Sequence, residues 1–401
     1  MTEKTNTIAT AVAHGMDGSL VEPDWPPLRA DEVSGILRQF VECEGPVEIL
    51  SVSPRPFSAA SVIAAGDRRL FVKRHPLVVR DHQGLREEHS FLDYLRTKDV
   101  LVPRVLATRV GETTVETGNW TYEVHETPPG IDLYEHAISW TPFRSTSHAR
   151  SAGQILARLH IAAEGFAEPR RTARPLVSSF SIFAAADPAV ALKTYLDARP
   201  ALAHDAATRQ DCDDGLERLA PFHDELLPLL PALTPLWTQN DLHASNLFWS
   251  DPSDEARAVA VIDFGLADRT NAVHDLALAI ERNIVEWLTL VNNPVHPDNV
   301  TVHFSHLHAL LTGYEQVRPL SDEEAAALAP MVALCHAEFA LTEADYFLGV
   351  LKSPEKARIA TDGYLVGHAR WFHSTAGRRL LDELRRWAET HNLQRREAVG
   401  P

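Results

Sequence analysis

Three oxygen-bearing side chains carry the chemistry this sequence could perform. Asp241 and Asn246 stand five residues apart in Gln239-Asn240-Asp241-Leu242-His243-Ala244-Ser245-Asn246, and Asp263 follows the apolar run Ala258-Val259-Ala260-Val261-Ile262. A carboxylate that can orient an alcohol and take its proton, followed by an amide and a second carboxylate that can share a divalent cation, is the equipment of phosphoryl transfer. That reaction asks mainly for positioning and charge stabilisation. Asp241 is the candidate base, and Asn246 and Asp263 offer hard oxygens suited to Mg²⁺.

These side chains meet only if strands bring them together. Leu236-Trp237-Thr238, Leu247-Phe248-Trp249 and residues 258–262 read as short strands. A hairpin through Asp251-Pro252-Ser253-Asp254 then places the loop 239–246 and Asp263 at one end of a small sheet. Upstream, Lys73 closes the apolar run Leu70-Phe71-Val72, where it can reach the α- and β-phosphates of a nucleoside triphosphate. It needs a carboxylate from the next helix. Glu88 is preferred to Glu87 because it lies three residues before Phe91 and seven before Leu95, beside the buried face. The segment Pro54 to Ser61 should cover the phosphates. It has no glycine, but its small residues let main-chain amides approach, and Ser58 and Ser61 offer hydroxyls. Tyr122 to Glu126, with Glu123 and His125, takes the position from which main-chain groups could bond an adenine ring.

The remaining patterns supply the frame. Residues 1–29 read as a loose tail, and Asp31 as the cap of a helix with Val33, Ile36, Leu37, Phe40 and Val41 on one face. Strands are expected at 47–52, 61–65 (closed by the Gly66-Asp67 turn), 70–73, 105–108 and 121–125, with a helix at 83–96. Residues 30–127 thus form an N-terminal, nucleotide-binding lobe. Pro128-Pro129-Gly130 reads as a hinge, and 128–395 as a mainly helical lobe with the catalytic loop and the acceptor-binding helices. Ser147 is the expected cap of a helix bearing Ala152, Ile155, Leu156 and Leu159. Further helices are expected near 189–198, 209–229, 274–292, 301–316, 322–349 and 374–391. The fold class is α+β. Asp275 reads as a helix cap or a brace for the loop after Asp263. Glu281, Glu286, Glu338, Glu343 and Asp345 read as solvated helix surface, although any of them could line an acceptor pocket. His303, His306 and His308 read as an exposed helix face rather than a metal set.

Composition narrows the function. The 401 residues are 45% hydrophobic and 23% charged, enough for a full core. The net charge of −17 opposes nucleic acid and anionic membranes as partners and is compatible with a cationic substrate, although solubility alone accounts for it. No run of eighteen apolar residues occurs, so no transmembrane helix is expected. The start has no apolar core of a signal peptide, and Cys43, Cys212 and Cys335 are too scattered for disulfides or zinc, so a cytoplasmic protein with buried free thiols is expected.

At Asp241-Leu242-His243-Ala244-Ser245-Asn246 and Ile262-Asp263-Phe264-Gly265, and less specifically at Leu70-Phe71-Val72-Lys73 and Arg86-Glu87-Glu88-His89, the chain resembles the aminoglycoside phosphotransferase-like family, which includes choline-kinase-like and homoserine-kinase-like enzymes. The resemblance spans residues 46–350. It implies a two-lobed protein-kinase-like fold, with a small antiparallel sheet lobe carrying one helix and a larger helical lobe. It also implies transfer of the γ-phosphate of ATP or GTP to the hydroxyl of a small molecule, with Asp241 as base, Asn246 and Asp263 on Mg²⁺ and Lys73 on the phosphates. The chain departs from the family pattern in having Gln239-Asn240 where His-Gly is frequent, and in its glycine-free loop. One alternative is a protein kinase. That reading conflicts with Asn240 and His243, where such enzymes carry Arg and Lys, and with a helical pattern resuming near Asp275. The other is a pseudokinase or scaffold, favoured by the glycine-free loop and opposed by the joint presence of Asp241, Asn246, Asp263 and Lys73. The acidic balance leans toward an amine-bearing acceptor, aminoglycoside-like or an amino alcohol.

Overall fold

The computed structural model describes residues 13–14, 20–21, 23–40, 45–53, 56–288 and 297–399. Cys43, Val41, Pro54, Arg55 and most of the expected tail lie outside the described residues. The chain divides into two compact units, Met1–His89 with Pro103–Thr127, and Ser90–Val102 with Pro128–Pro401.

The first unit is built on an antiparallel sheet. Its strands are β1 (Val47–Val52), β2 (Ala59–Ala65), β3 (Arg68–Pro76), β4 (Arg104–Val105), β5 (Thr114–Thr117) and β6 (Trp120–Glu126). They run in the order β1-β2-β3-β6-β4, with β5 also paired to β6. Gly66 takes φ +60 in the turn between β2 and β3, a left-handed conformation that costs glycine little. Strand alternation sends Ile63, Leu70, Val72 and Val124 into a core with Val33, Ile36 and Leu37 of helix α1 (Ala30–Leu37). Arg29, not Asp31, holds the N-cap position of α1. Asp31 falls in the first turn, where a negative charge suits the helix dipole. The opposite alternation phase of the same strands carries Lys73, His75, Glu123 and His125. Helix α2 runs from His82 to Arg96.

In the second unit helix α3 (Thr146–Ala163) is capped by Ser145, whose side chain accepts from the His148 N–H, two residues earlier than the expected Ser147. It crosses α5 (Phe304–Glu315) at backbone distance. A Cβ at Gly153 would lie 2.1 Å from the Leu310 carbonyl oxygen, and one at Gly313 would lie 1.9 Å from that of Arg150. Four short strands follow: β7 (Pro235–Thr238), β8 (Leu247–Trp249), β9 (Ala258–Val261) and β10 (Asp268–Asn271). The β8/β9 hairpin forms as expected. β7, however, pairs with β10, Thr238 opposite Asp268, so two two-stranded sheets replace the single small sheet. Helix α4 (Ala272–Ile284) leaves β10 directly and is buried along its whole length; positions 289–292 of the expected helix lie outside the described residues. Helices α6 (Asp322–Leu334) and α7 (His336–Asp345) continue into a π turn at Tyr346–Val350. This run is long and apolar enough to cross a bilayer, yet 94% of its apolar window is buried inside the protein. Here Glu338 and Glu343 are buried rather than solvated, as Glu281 is on α4.

Candidate active site

The loop after β7 is built from side chains bonding main chain. Asn240 sits at φ +61, a conformation that asparagine tolerates better than most residues, which accounts for its standing where glycine is frequent. Its Oδ1 accepts from the Thr238 hydroxyl at 2.8 Å and its Nδ2 donates to the Ser178 carbonyl at 2.9 Å. Gln239 takes the other half of the pattern. Its Oε1 accepts from the Asp241 N–H at 2.8 Å, and its Nε2 donates to the Asp263 carbonyl at 2.7 Å. One amide therefore ties the base-bearing loop to the segment that presents Asp263.

Asn246 closes the arrangement. Its Nδ2 donates to the Asp241 carbonyl at 2.9 Å and to Asp241 Oδ2 at 3.0 Å, while its own carbonyl accepts from the Ile262 N–H at 2.9 Å. Committing Nδ2 to Asp241 turns Oδ1 into the atom offered to a ligand. Asp263 sits at φ +54, and its Oδ1 accepts from the Gly265 N–H at 3.3 Å. An amide oxygen and a carboxylate are hard-oxygen donors of the chemistry that suits Mg²⁺. This one network joins Asp241, Asn246 and the main chain at Asp263.

Helix α4 grips the loop from one face. Asp275 is completely buried. Its two oxygens accept from the Asn240 N–H at 2.8 Å and the Gln239 N–H at 3.1 Å, and His160 Nε2 lies 3.0 Å from Oδ2. It braces the loop before Asp241 rather than the one after Asp263, and the cap of α4 is Asn271. Two turns on, Asn283 accepts from the Ala244 N–H at 3.0 Å and donates to the Leu242 carbonyl at 2.9 Å. Between them Arg282 makes an ion pair with Asp241, its guanidinium 4.6 Å from the centre of the Phe339 ring. Sequence reasoning missed Arg282 and Asn283. The available signal was Asp275, Arg282 and Asn283 at i, i+7 and i+8, one polar stripe on a helix whose remaining residues are mostly apolar.

Other buried acids surround this region. Burial pushes Glu281 up to about 8, so it is a neutral acid at pH 7, with His368 Nδ1 2.9 Å away. Burial also lifts Glu343 well above the carboxylate range, against the pull of Arg282. Glu286 pairs with His303 at 2.7 Å, and the His303 and His306 rings stack at 5.1 Å.

In the first unit Lys73 is half-buried on β3, and on α2 Glu88 is buried while Glu87 is half-exposed. Ser58 is buried just before β2. Ser61 departs from expectation. It shares the inward alternation phase of β2 with Ala59, Ile63 and Ala65, is fully buried, and its hydroxyl bonds nothing among the described residues. A hydroxyl turned into the apolar core has no path to a phosphate. Glu123 and His125 lie on β6, a strand paired on both edges up to Glu126, so the expected main-chain groups at these two positions belong to the ladder. Their side chains meet each other instead, with Glu123 Oε2 2.9 Å from His125 Nε2.

The model of the phosphotransferase enzyme family matches residues 57–320. The chain belongs to that family. A homoserine kinase from Rhodospirillum rubrum is 29% identical over 245 residues, which cover 61% of this chain and 63% of that enzyme, just under two thirds of its length. An aminoglycoside phosphotransferase from Alicyclobacillus acidocaldarius superposes with a TM-score of 0.52 at 16% identity, over 91% of this chain and 98% of that one. A microcompartment-associated aminopropanol kinase superposes with a TM-score of 0.55 at 17% identity, over 87% and 99%. The fold is that of the aminoglycoside phosphotransferases, α+β with an antiparallel sheet at the N-terminal side and helices after it.

Proposed function

We propose that this member of the phosphotransferase enzyme family moves the γ-phosphate of ATP or GTP to a hydroxyl of a small, amine-bearing molecule. The observation that carries the reading is the Gln239-centred network, which fixes Asp241, Asn246 and the Asp263 segment in one arrangement. Asp241 orients the acceptor hydroxyl and receives its proton. Asn246, bonded to the Asp241 carboxylate, limits its rotation, and Arg282 offsets its charge from the other side. Asn246 Oδ1 and the Asp263 carboxylate would hold Mg²⁺, which when bound supplies positive charge against the phosphates. Lys73, with Glu88, is the phosphate-binding pair of the reading.

The amine rests on two supports. Homoserine and aminopropanol, named by two of the similar proteins, both carry an amino group as well as a hydroxyl. The net charge of −17 favours a cation in the same direction. A protein acceptor is disfavoured because β10 and α4 occupy the chain from Asp268 onward, which leaves no length for an activation segment.

The experiment is nucleotide consumption coupled to acceptor phosphorylation, run over a panel of amino alcohols, hydroxy amino acids, amino sugars and their des-amino analogues. Transfer to the amines, strongly reduced in Asp241→Asn, is the expected outcome. Transfer to neutral or anionic acceptors alone would remove the amine. Nucleotide binding without any transfer would leave a pseudokinase.

A further inference from the structure

The first unit contains a buried cluster that phosphoryl transfer does not use. Glu123 and His125 stand at i and i+2 on β6 and so project from one face of the sheet. His75 comes from β3, and His89 from α2. Relative exposures are 1% for Glu123, 2% for His89, 7% for His75 and 8% for His125. Each imidazole aims its Nε2 at the same carboxylate. His89 Nε2 lies 2.7 Å and His125 Nε2 2.9 Å from Oε2, and His75 Nε2 lies 2.9 Å from Oε1.

We propose that His89, Glu123 and His125 form a binding site for a divalent transition metal, zinc foremost, with His75 holding the carboxylate from behind. Their ligand atoms all lie within 4.8 Å of one another. A tetrahedral zinc with bonds of about 2.0–2.1 Å separates its donors by about 3.3 Å, so small side-chain rotations suffice. Two imidazoles and one carboxylate select zinc, cobalt or nickel over the oxygen-seeking Mg²⁺ and Ca²⁺, and three protein ligands leave a fourth position for water.

The surroundings are those of a ligand set. His89 Nδ1 lies 2.7 Å from the Thr113 hydroxyl, which fixes the ring with Nε2 facing the cluster, and His75 does the same for the carboxylate. Proton balance is met by a tautomer change. In the metal-free cluster Nε2–H donates to Glu123; on metal binding the proton of each neutral imidazole resides on Nδ1, where that of His89 can donate to Thr113 Oγ1. No net proton is required from elsewhere. The site joins α2, which carries Glu88 next to His89, to β3, which carries Lys73 two residues before His75. A bound ion would lock that helix to that strand.

The test uses the full chain without a histidine tag, stripped with chelator and titrated with ZnCl₂ against a chromophoric competitor. One zinc per chain is expected, with a rise in Tm. Cobalt should give visible d–d absorption of tetrahedral strength that zinc displaces. Glu123→Gln and His125→Gln should weaken zinc binding at least about 10–100-fold, and the outer-shell Thr113→Val should fall within that range. Cobalt spectra of the wild type keep the test decisive if a variant misfolds. The double variant His303→Ala/His306→Ala, which removes the other histidine pair, should bind normally. Three results overturn the proposal: no stoichiometric zinc on the wild type, unchanged affinity in folded Glu123→Gln, or loss of zinc in the His303/His306 variant. The first would leave the cluster a hydrogen-bonded network alone.

Discussion

Asp275 in the second unit and Glu123 in the first are both fully buried carboxylates, and they are satisfied in opposite ways. Asp275 accepts from two main-chain amides and faces one histidine. Glu123 faces three histidine side chains. Burial works to raise Glu123, but His125, His75 and His89 outweigh it and hold the carboxylate well below its usual range. Burial meanwhile pushes His75 down, toward the neutral imidazole. Main-chain amides can do nothing but donate, so Asp275 is a fixed part of the loop's shape. Imidazoles can donate, accept a proton or ligate, so Glu123 sits in a setting that can change state. The same buried charge thus serves as scaffold in one place and as a convertible centre in the other.

The sharpest way to break this contrast is at the residue the scaffold serves. Asp241→Asn should lower kcat by about 10²–10⁴-fold with the circular-dichroism spectrum unchanged, because the loop is held by Gln239, Asn240 and Asp275 rather than by Asp241 itself. A loss of fold together with rate would show that the base is part of its own scaffold. Next in size, Asp275→Ala strands two buried N–H groups and His160. It should cost about 3 kcal/mol in urea unfolding and lower kcat as well, whereas an intact rate would show that the loop holds itself.

Glu281 extends the comparison to a buried acid that gains its proton rather than donors. Its folded pKa of about 8 lies above the ordinary 4.5, so the folded state binds more protons between those values. The contribution of this group to stability should therefore be greatest below pH 4.5 and fall as pH rises toward 8, by up to about 1.4 kcal/mol per pH unit. Glu281→Gln should flatten that slope, as measured by chemical denaturation at several pH values; an unchanged slope would assign it elsewhere. The smallest expected effect is at the loop's left-handed residue. Asn240→Ala should lose about 1–2 kcal/mol to backbone strain, to which lost hydrogen bonds add, and Asn240→Gly should lose less, as read from paired thermal melts.

Much of this was legible because it is local. The strand Val47–Val52, the turn at Gly66, helix α2 and the β8/β9 hairpin all follow from alternation, helical period and turn residues close in sequence. The pairing of Thr238 with Asp268 was not, because a short strand names no partner and the nearer hairpin was the default. Ser61 was misread for a related reason: its type suits a phosphate, but the register of β2 turns it inward. Glu281 and Glu343 read as surface because charge implies water in a sequence, and only tertiary packing reveals that a helix is enclosed on every side. The cluster at Glu123 stayed hidden because His75 and His89 lie far along the chain from it.

The crossing of α3 and α5 has a consequence for the loop. Gly313 adjoins Tyr314, whose hydroxyl lies 2.7 Å from His160 Nδ1, and His160 in turn holds Asp275. The seat of the loop is therefore referenced to the separation of two helices that touch without side chains between them. Such a joint has almost no tolerance: one extra methyl group at position 313 wedges the helices apart and carries the error link by link to the reacting carboxylate. Alignment in this molecule is a matter of gauge as well as of chemistry, and part of the gauge is set by a residue that has nothing to offer but its lack of bulk.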